Sequence, residues 1–185
     1  MKPADFNVND RINSRLLESG YHFLTGPIEQ SNIDDAIKWI VFENLDTRVC
    51  KRLNLFINSP GGDLYNAFAL IDVMRSSYHK VSTTAMGSAM SAAFLILASG
   101  AKGSRYAYRN TGIMCHQYSD EAVGKHHDLK AYMQEGTRCH ERMFDVLRSA
   151  TSLPAAKIRS KLLTATDTYI TAQEALELRV IDHIL

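Results

Sequence analysis

The sequence predicts one α/β domain built on a mainly parallel sheet, and three observations predict it. Short β-branched and aromatic runs alternate with segments whose apolar residues recur at helical spacing, as in right-handed βαβ crossovers. The 185 residues suffice for a single core that buries roughly two-thirds of the unfolded surface. No internal repeat, low-complexity linker or composition shift divides the chain.

Residues 1–20 are polar apart from an Ile12, Leu16, Leu17 stripe, and read as an arm leading into a small helix. The domain itself is expected over 21–185. Tyr21 to Leu24 is a short strand stopped by Gly26 and Pro27. Ser31 to Glu43 carries Ile33, Ile37, Ile40 and Val41 on one helical face. Leu53 to Ile57 is the next strand and ends in Asn58-Ser59-Pro60-Gly61-Gly62. Leu64 to Arg75 reads as helix and Val81 to Ala85 as strand; Ala92 to Leu97 can continue as helix. Arg105 to Tyr108 and Gly112 to Cys115 are short strands. A long helix follows from about His127 to Ser149, with Leu129, Tyr132, Met133, Met143, Phe144 and Leu147 forming a stripe. Pro154 opens another helix, Thr171 to Leu178 is the last one, and Val180 to Ile184 closes the chain as a strand.

Charge excludes some function classes. Lys and Arg number 21 against 20 Asp and Glu, so nothing in the balance argues for nucleic acid or an anionic membrane. The longest apolar run, Ala92 to Ala98, is far too short to span a bilayer, and the N-terminus lacks a signal peptide's apolar run. Cys50, Cys115 and Cys139 show no C-x-x-C spacing, which points to free thiols in a reducing, cytoplasmic setting. Cys115 and His116 are adjacent on a strand, and so face opposite ways and cannot readily share a metal ion.

Chemistry is therefore sought in a local constellation. In Ala89-Met90-Ser91-Ala92-Ala93 the serine has small neighbours two residues away on each side, as a nucleophile at a sharp strand-to-helix turn requires. The same pattern also suits a buried helix that merely packs tightly. A serine hydroxyl needs a base, and the base an orienting group. Among seven histidines, His116 is best placed, at the end of an apolar strand; a hydrogen-bonded structural histidine is the competing reading. Asp167, in the loop Thr164 to Tyr169 before the last helix, is a candidate orienter or an ordinary loop aspartate. The glycines of Asn58-Ser59-Pro60-Gly61-Gly62-Asp63 either present amides to an oxyanion or make a plain turn.

Taken together these pieces resemble the ClpP family, the serine peptidase subunits of the Clp machinery. The resemblance is carried by INSPGG at Ile57–Gly62, by the serine in G-x-A-x-S at Gly87–Ser91, by M-x-H-Q at Met114–Gln117 and by D-x-Y-I-T-A-x-E-A-L at Asp167–Leu176. It extends over essentially residues 14–185, including SRLLESGYHFLTGPIE near the start.

It implies a ClpP/crotonase-like superhelix of ββα and βαβ units with a protruding handle, here about 117–150. It implies Ser91 as nucleophile, His116 as general base, Asp167 as orienting carboxylate, and the amides of Gly62 and Ala92 as oxyanion hole. It also implies heptameric rings, stacked as a tetradecamer, that degrade unfolded polypeptide fed by a separate AAA+ Clp ATPase, with no cofactor on this chain. A catalytically silent ring subunit and a crotonase-like acyl-CoA enzyme are the alternatives.

The chain departs from the resemblance in three places. Gln117 to Glu121 lacks the family's proline and paired glycines, Thr166 stands where many relatives have arginine, and the N-terminal arm is shorter and more polar.

Overall fold

The computed structural model describes residues 7–48 and 50–185; the first six residues of the expected arm lie outside them. The rest of that arm is helix α1 (Val8–Glu18), capped by the Asn7 side chain, which accepts from the Asn9 N–H at 3.0 Å. No residue of α1 is buried.

Five strands run parallel in the order β1 (Tyr21–Thr25), β2 (Arg52–Ser59), β3 (Lys80–Met90), β4 (Arg105–Ala107) and β7 (His183–Ile184). Helices α2 (Gln30–Glu43) and α3 (Leu64–Ser76) make the crossovers between the first three. Leu53, Leu55 and Ile57 of β2 have no exposure, while Phe56 between them stacks on Phe23 across the sheet's other face. This is the period-two alternation of a strand with one core face.

The third strand departs from the sequence reading. Rather than stopping at Ala85, β3 continues to Met90 and changes partners on the way. Its first half pairs with β2 and β4; after a register shift it keeps one pair with β2, Ser59↔Ala89, and its last three residues pair with β5 (Gly112–Cys115) through Ser88↔Gly112 to Met90↔Met114. The change occurs at Gly87, which has φ 63°. There Asn58 Oδ1 takes the Ser88 N–H at 3.1 Å and the Ser88 hydroxyl at 3.2 Å. A side chain thus stands in for a backbone partner, and a stretch that reads as a small-residue turn remains strand.

Helix α4 (Ala92–Ala98) has all seven residues buried, as expected for a helix that is apolar on every side. The long helix α5 (His126–Thr151) packs through Met143, Val146 and Leu147 near its C-terminus, while Tyr132 and Met133 in its first half are exposed. Pro154 serves as the cap of α6 (Ala155–Lys161) rather than its first residue.

Two further boundaries move. The closing strand shrinks to His183–Ile184, because the chain is still turning at Arg179, which has φ 56°. The segment read as loop before the last helix, α7 (Ala172–Glu177), contains β6 (Thr168–Ile170), antiparallel to β5. Its short Thr-Tyr-Ile run has strand propensity but too few residues to display periodicity.

A buried cation ties the layers together. Arg105 donates from Nε and NH2 to the two carboxylate oxygens of Asp182, at 2.9 and 2.6 Å. Its NH1 donates to the Ala98 and Ala150 carbonyls at the ends of α4 and α5, at 3.2 and 3.1 Å. Those carbonyls have lost their helical partners and need a donor.

Candidate active site

Ser91 is the single residue between β3 and α4. Its N–H continues the strand ladder by donating to Met114 O at 3.0 Å, while its own carbonyl accepts from Phe94 N at 3.0 Å and begins the helix. Satisfying both forces φ to 52° and ψ to −120°, a conformation that L-residues avoid and that persists only where the surroundings over-determine it. Ala89 and Ala93 on either side have no exposure.

The Pro60-Gly61-Gly62 turn lies directly against this elbow. A Cβ on Gly61 would stand 2.7 Å from both Met90 O and Ser91 Cβ. Gly62, at φ 147°, is seated on Ile28, whose backbone a Cβ there would strike. Ile28 N–H donates to Gly61 O and Ile28 O accepts from Asp63 N, both at 2.8 Å. In such a parallel bridge the middle residue's own N–H points the opposite way, so the Gly62 amide is turned away from Ile28. Neither it nor the Ala92 N–H at the start of α4 finds a partner, so two amides beside Ser91 are left without an acceptor among the described residues.

His116 follows β5 directly, and its Nε2 lies 2.8 Å from Ser91 Oγ. With the ring proton on Nδ1, Nε2 accepts the serine hydroxyl, the arrangement from which a histidine can take that proton.

The last pairs of the β5–β6 ladder are Met114↔Tyr169 and Cys115↔Thr168, so one step further brings His116 opposite Asp167. Residues directly opposite in an antiparallel pair put their side chains on the same face. The ladder opens at that step. Gln117 N–H donates to Thr164 O at 3.1 Å, and Thr164 Oγ1 bonds both Thr168 Oγ1 and Thr166 O at 2.6 Å. Residues 165–167 loop out between those attachments. Asp167 is exposed there and makes no hydrogen bond to His116 among the described residues.

Ser91, His116, Gly62 and Ala92 open into a cleft of 320 Å³. It is also lined by Tyr118, Asp120 and, from α5, Met143. A model of the family described as Clp protease matches residues 5–185. The chain belongs to the Clp protease family. Its fold is that of a ClpP-like peptidase, and the family is one of oligomeric proteolytic assemblies. No helix among the described residues is long and apolar enough to cross a membrane.

Within this Clp-family fold the one buried histidine among the described residues is structural. His79 is 1% exposed; its Nδ1 accepts the Lys51 N–H at 3.1 Å, and its Nε2 faces Glu43 O at 2.9 Å and Asp46 O at 3.1 Å. With Nδ1 accepting, the proton sits on Nε2, and both nitrogens are occupied holding the end of α2 to the start of β3. His22 stacks on Trp39 at 5.2 Å, and burial lowers its pKa. Cys115 is buried, which pushes its thiol up to about 12, so it is protonated and inert at neutral pH. No group of residues with metal-ligand character occurs among the described residues.

Sequence reasoning missed two parts of the site. One is the carbonyl of Met114, which fixes the Ser91 backbone; no side chain signals it. The other is the separate task of Gly61, for which the doubled glycine was the available signal: one glycine turns an amide toward the cleft and the other makes room for Ser91.

Proposed function

We propose that this chain is a serine endopeptidase that hydrolyses peptide bonds of unfolded polypeptides. The observation that carries this reading is the 2.8 Å approach of His116 Nε2 to Ser91 Oγ, at a turn whose backbone is held in a strained conformation. His116 takes the Ser91 proton as Oγ attacks the peptide carbonyl. The amides of Gly62 and Ala92 receive the oxyanion, and His116 then protonates the departing amine. A water, deprotonated in turn by His116, attacks the acyl-serine and releases a carboxylate, restoring the serine. Asp167 is the orienting carboxylate in this reading. The register that brings it opposite His116 supports the role, and closure of residues 165–167 onto the ladder would bring the carboxylate to Nδ1.

Family membership supports assembly of identical subunits into heptameric rings, stacked as a tetradecamer around an enclosed chamber. It equally supports feeding of unfolded chains by a separate AAA+ Clp ATPase. None of these steps calls for a cofactor on this chain. The free thiols of Cys50, Cys115 and Cys139 suit a cytoplasmic setting.

The exposed position of Asp167 favours a second reading, a catalytically silent ring subunit. A fluorophosphonate probe separates the two. The peptidase reading expects covalent labelling at Ser91 that is lost in His116→Ala. A silent subunit expects labelling no faster than that of any surface serine.

A further inference from the structure

Resting on the peptidase reading above, we propose that the cleft selects a substrate with a basic side chain, lysine or arginine, beside the scissile bond, and that Asp120 is the carboxylate that reads it. The cleft into which Ser91 and His116 open is bordered by two carboxylates, Asp63 and Asp120. No lysine or arginine is among the described residues that line it.

Nearby cations are engaged elsewhere. Arg138 and Arg142 lie 3.0 and 3.6 Å from Glu135, and the Arg142 guanidinium lies 5.9 Å from the centre of the Tyr65 ring. Glu135 is therefore already matched, and it also accepts the Tyr65 hydroxyl at 2.7 Å. Neither Asp63 nor Asp120 has an ion-pair partner among the described residues.

Asp120 is placed by its neighbours. The Tyr118 hydroxyl donates to Oδ2 at 2.7 Å, and the Glu121 N–H donates to Oδ1 at 2.8 Å. The Tyr118 ring rests on the handle helix at Gly136, where a Cβ would stand 3.1 Å from Cε1. Glycine at that helical position seats the ring, and the ring carries the hydroxyl that orients the carboxylate. These donors hold Asp120 below the ordinary carboxylate range, the Tyr118 bond being the larger cause. It is ionised at neutral pH.

Asp63, also on the cleft lining, caps α3 by accepting the Asn66 N–H on Oδ1 at 2.7 Å. Leu64 and Met143 supply apolar surface in the same cleft. Lysine and arginine combine the two properties this lining asks for, a methylene stem for apolar contact and a cationic head for carboxylates. An acidic side chain would meet like charge.

The test is a matched pair of fluorogenic peptides, with arginine or leucine beside the scissile bond, cleaved by the assembled protein. The expected result is an arginine-over-leucine ratio of kcat/KM above one that falls about tenfold in Asp120→Asn, the scale of one charge-assisted contact. In Asp120→Lys the ratio inverts, and a glutamate peptide overtakes the arginine peptide. Asp120 is exposed, so these variants leave the core untouched. If Ser91-dependent cleavage occurs with equal efficiency on both peptides, or the ratio is unmoved in both variants, the basic-subsite inference is overturned and the peptidase reading stands. If neither peptide is cut and Ser91 does not react with fluorophosphonate, both fall.

Discussion

Gly61 lies so close to Ser91 that a Cβ added to it would stand 2.7 Å from the Ser91 Cβ. The loop after β2 and the turn after β3 are thus a single packing unit, and the serine elbow has its shape only because that loop carries no side chain at 61. Gly61→Ala meets both this contact and an unfavourable φ of 96°. It should cost about 1–3 kcal/mol of stability and abolish fluorophosphonate labelling, even in molecules that remain folded. Denaturant unfolding and labelling on the same sample check both halves; a stable, fully labelled variant would contradict the packing account.

The strain at Ser91 makes an opposite pair of effects. Ser91→Gly relieves the positive φ and should raise stability by about 1 kcal/mol, while peptide hydrolysis is lost. A thermal melt that moves downward would show that the turn stores no strain.

In the peptidase reading Asp167, which follows the β5–β6 register one step beyond Cys115↔Thr168, orients His116. Asp167→Ala should lower kcat by roughly 10³–10⁴ while leaving thermal stability within about 0.5 kcal/mol, because the side chain is exposed in the looped-out segment. Turnover like that of the parent chain would mean that His116 acts without this carboxylate.

These residues show what was legible in the sequence and why. Strand and helix alternation, the small neighbours of Ser91 and the position of His116 after Gly112–Cys115 follow from side-chain patterns, and the fold contains each of them. The continuation of β3 to Met90 does not follow from any such pattern, because it depends on Asn58 supplying a hydrogen-bond acceptor from 30 residues away in sequence. The β6 strand was hidden by its brevity. The looping-out of residues 165–167 is set by hydroxyl bonds among three threonines, Thr164, Thr166 and Thr168, a network that spacing does not reveal.

Stability should carry the signature of the Arg105–Asp182 pair. Burial alone would push the Asp182 carboxyl up, but the hydrogen bonds and charge of Arg105 outweigh it, and the net effect is a lowered pKa. A carboxyl lowered in the folded state adds stability above its unfolded pKa, and this contribution fades as pH falls through the folded one. Asp182→Asn, which leaves a buried guanidinium without its partner, should cost about 3 kcal/mol near neutral pH. The gap between variant and parent should close in acid, below the ordinary aspartate range. Urea unfolding at several pH values measures it; a gap that widens in acid would reverse the sign argued here.

The central claim is that Ser91 is the nucleophile of a peptidase. Its most direct test is turnover of a fluorogenic peptide by the parent chain and by Ser91→Ala, compared at equal concentration after native mass has shown that both form the same particle. The account predicts hydrolysis by the parent and none above background by the variant. Equal turnover by the two would remove Ser91 from the chemistry.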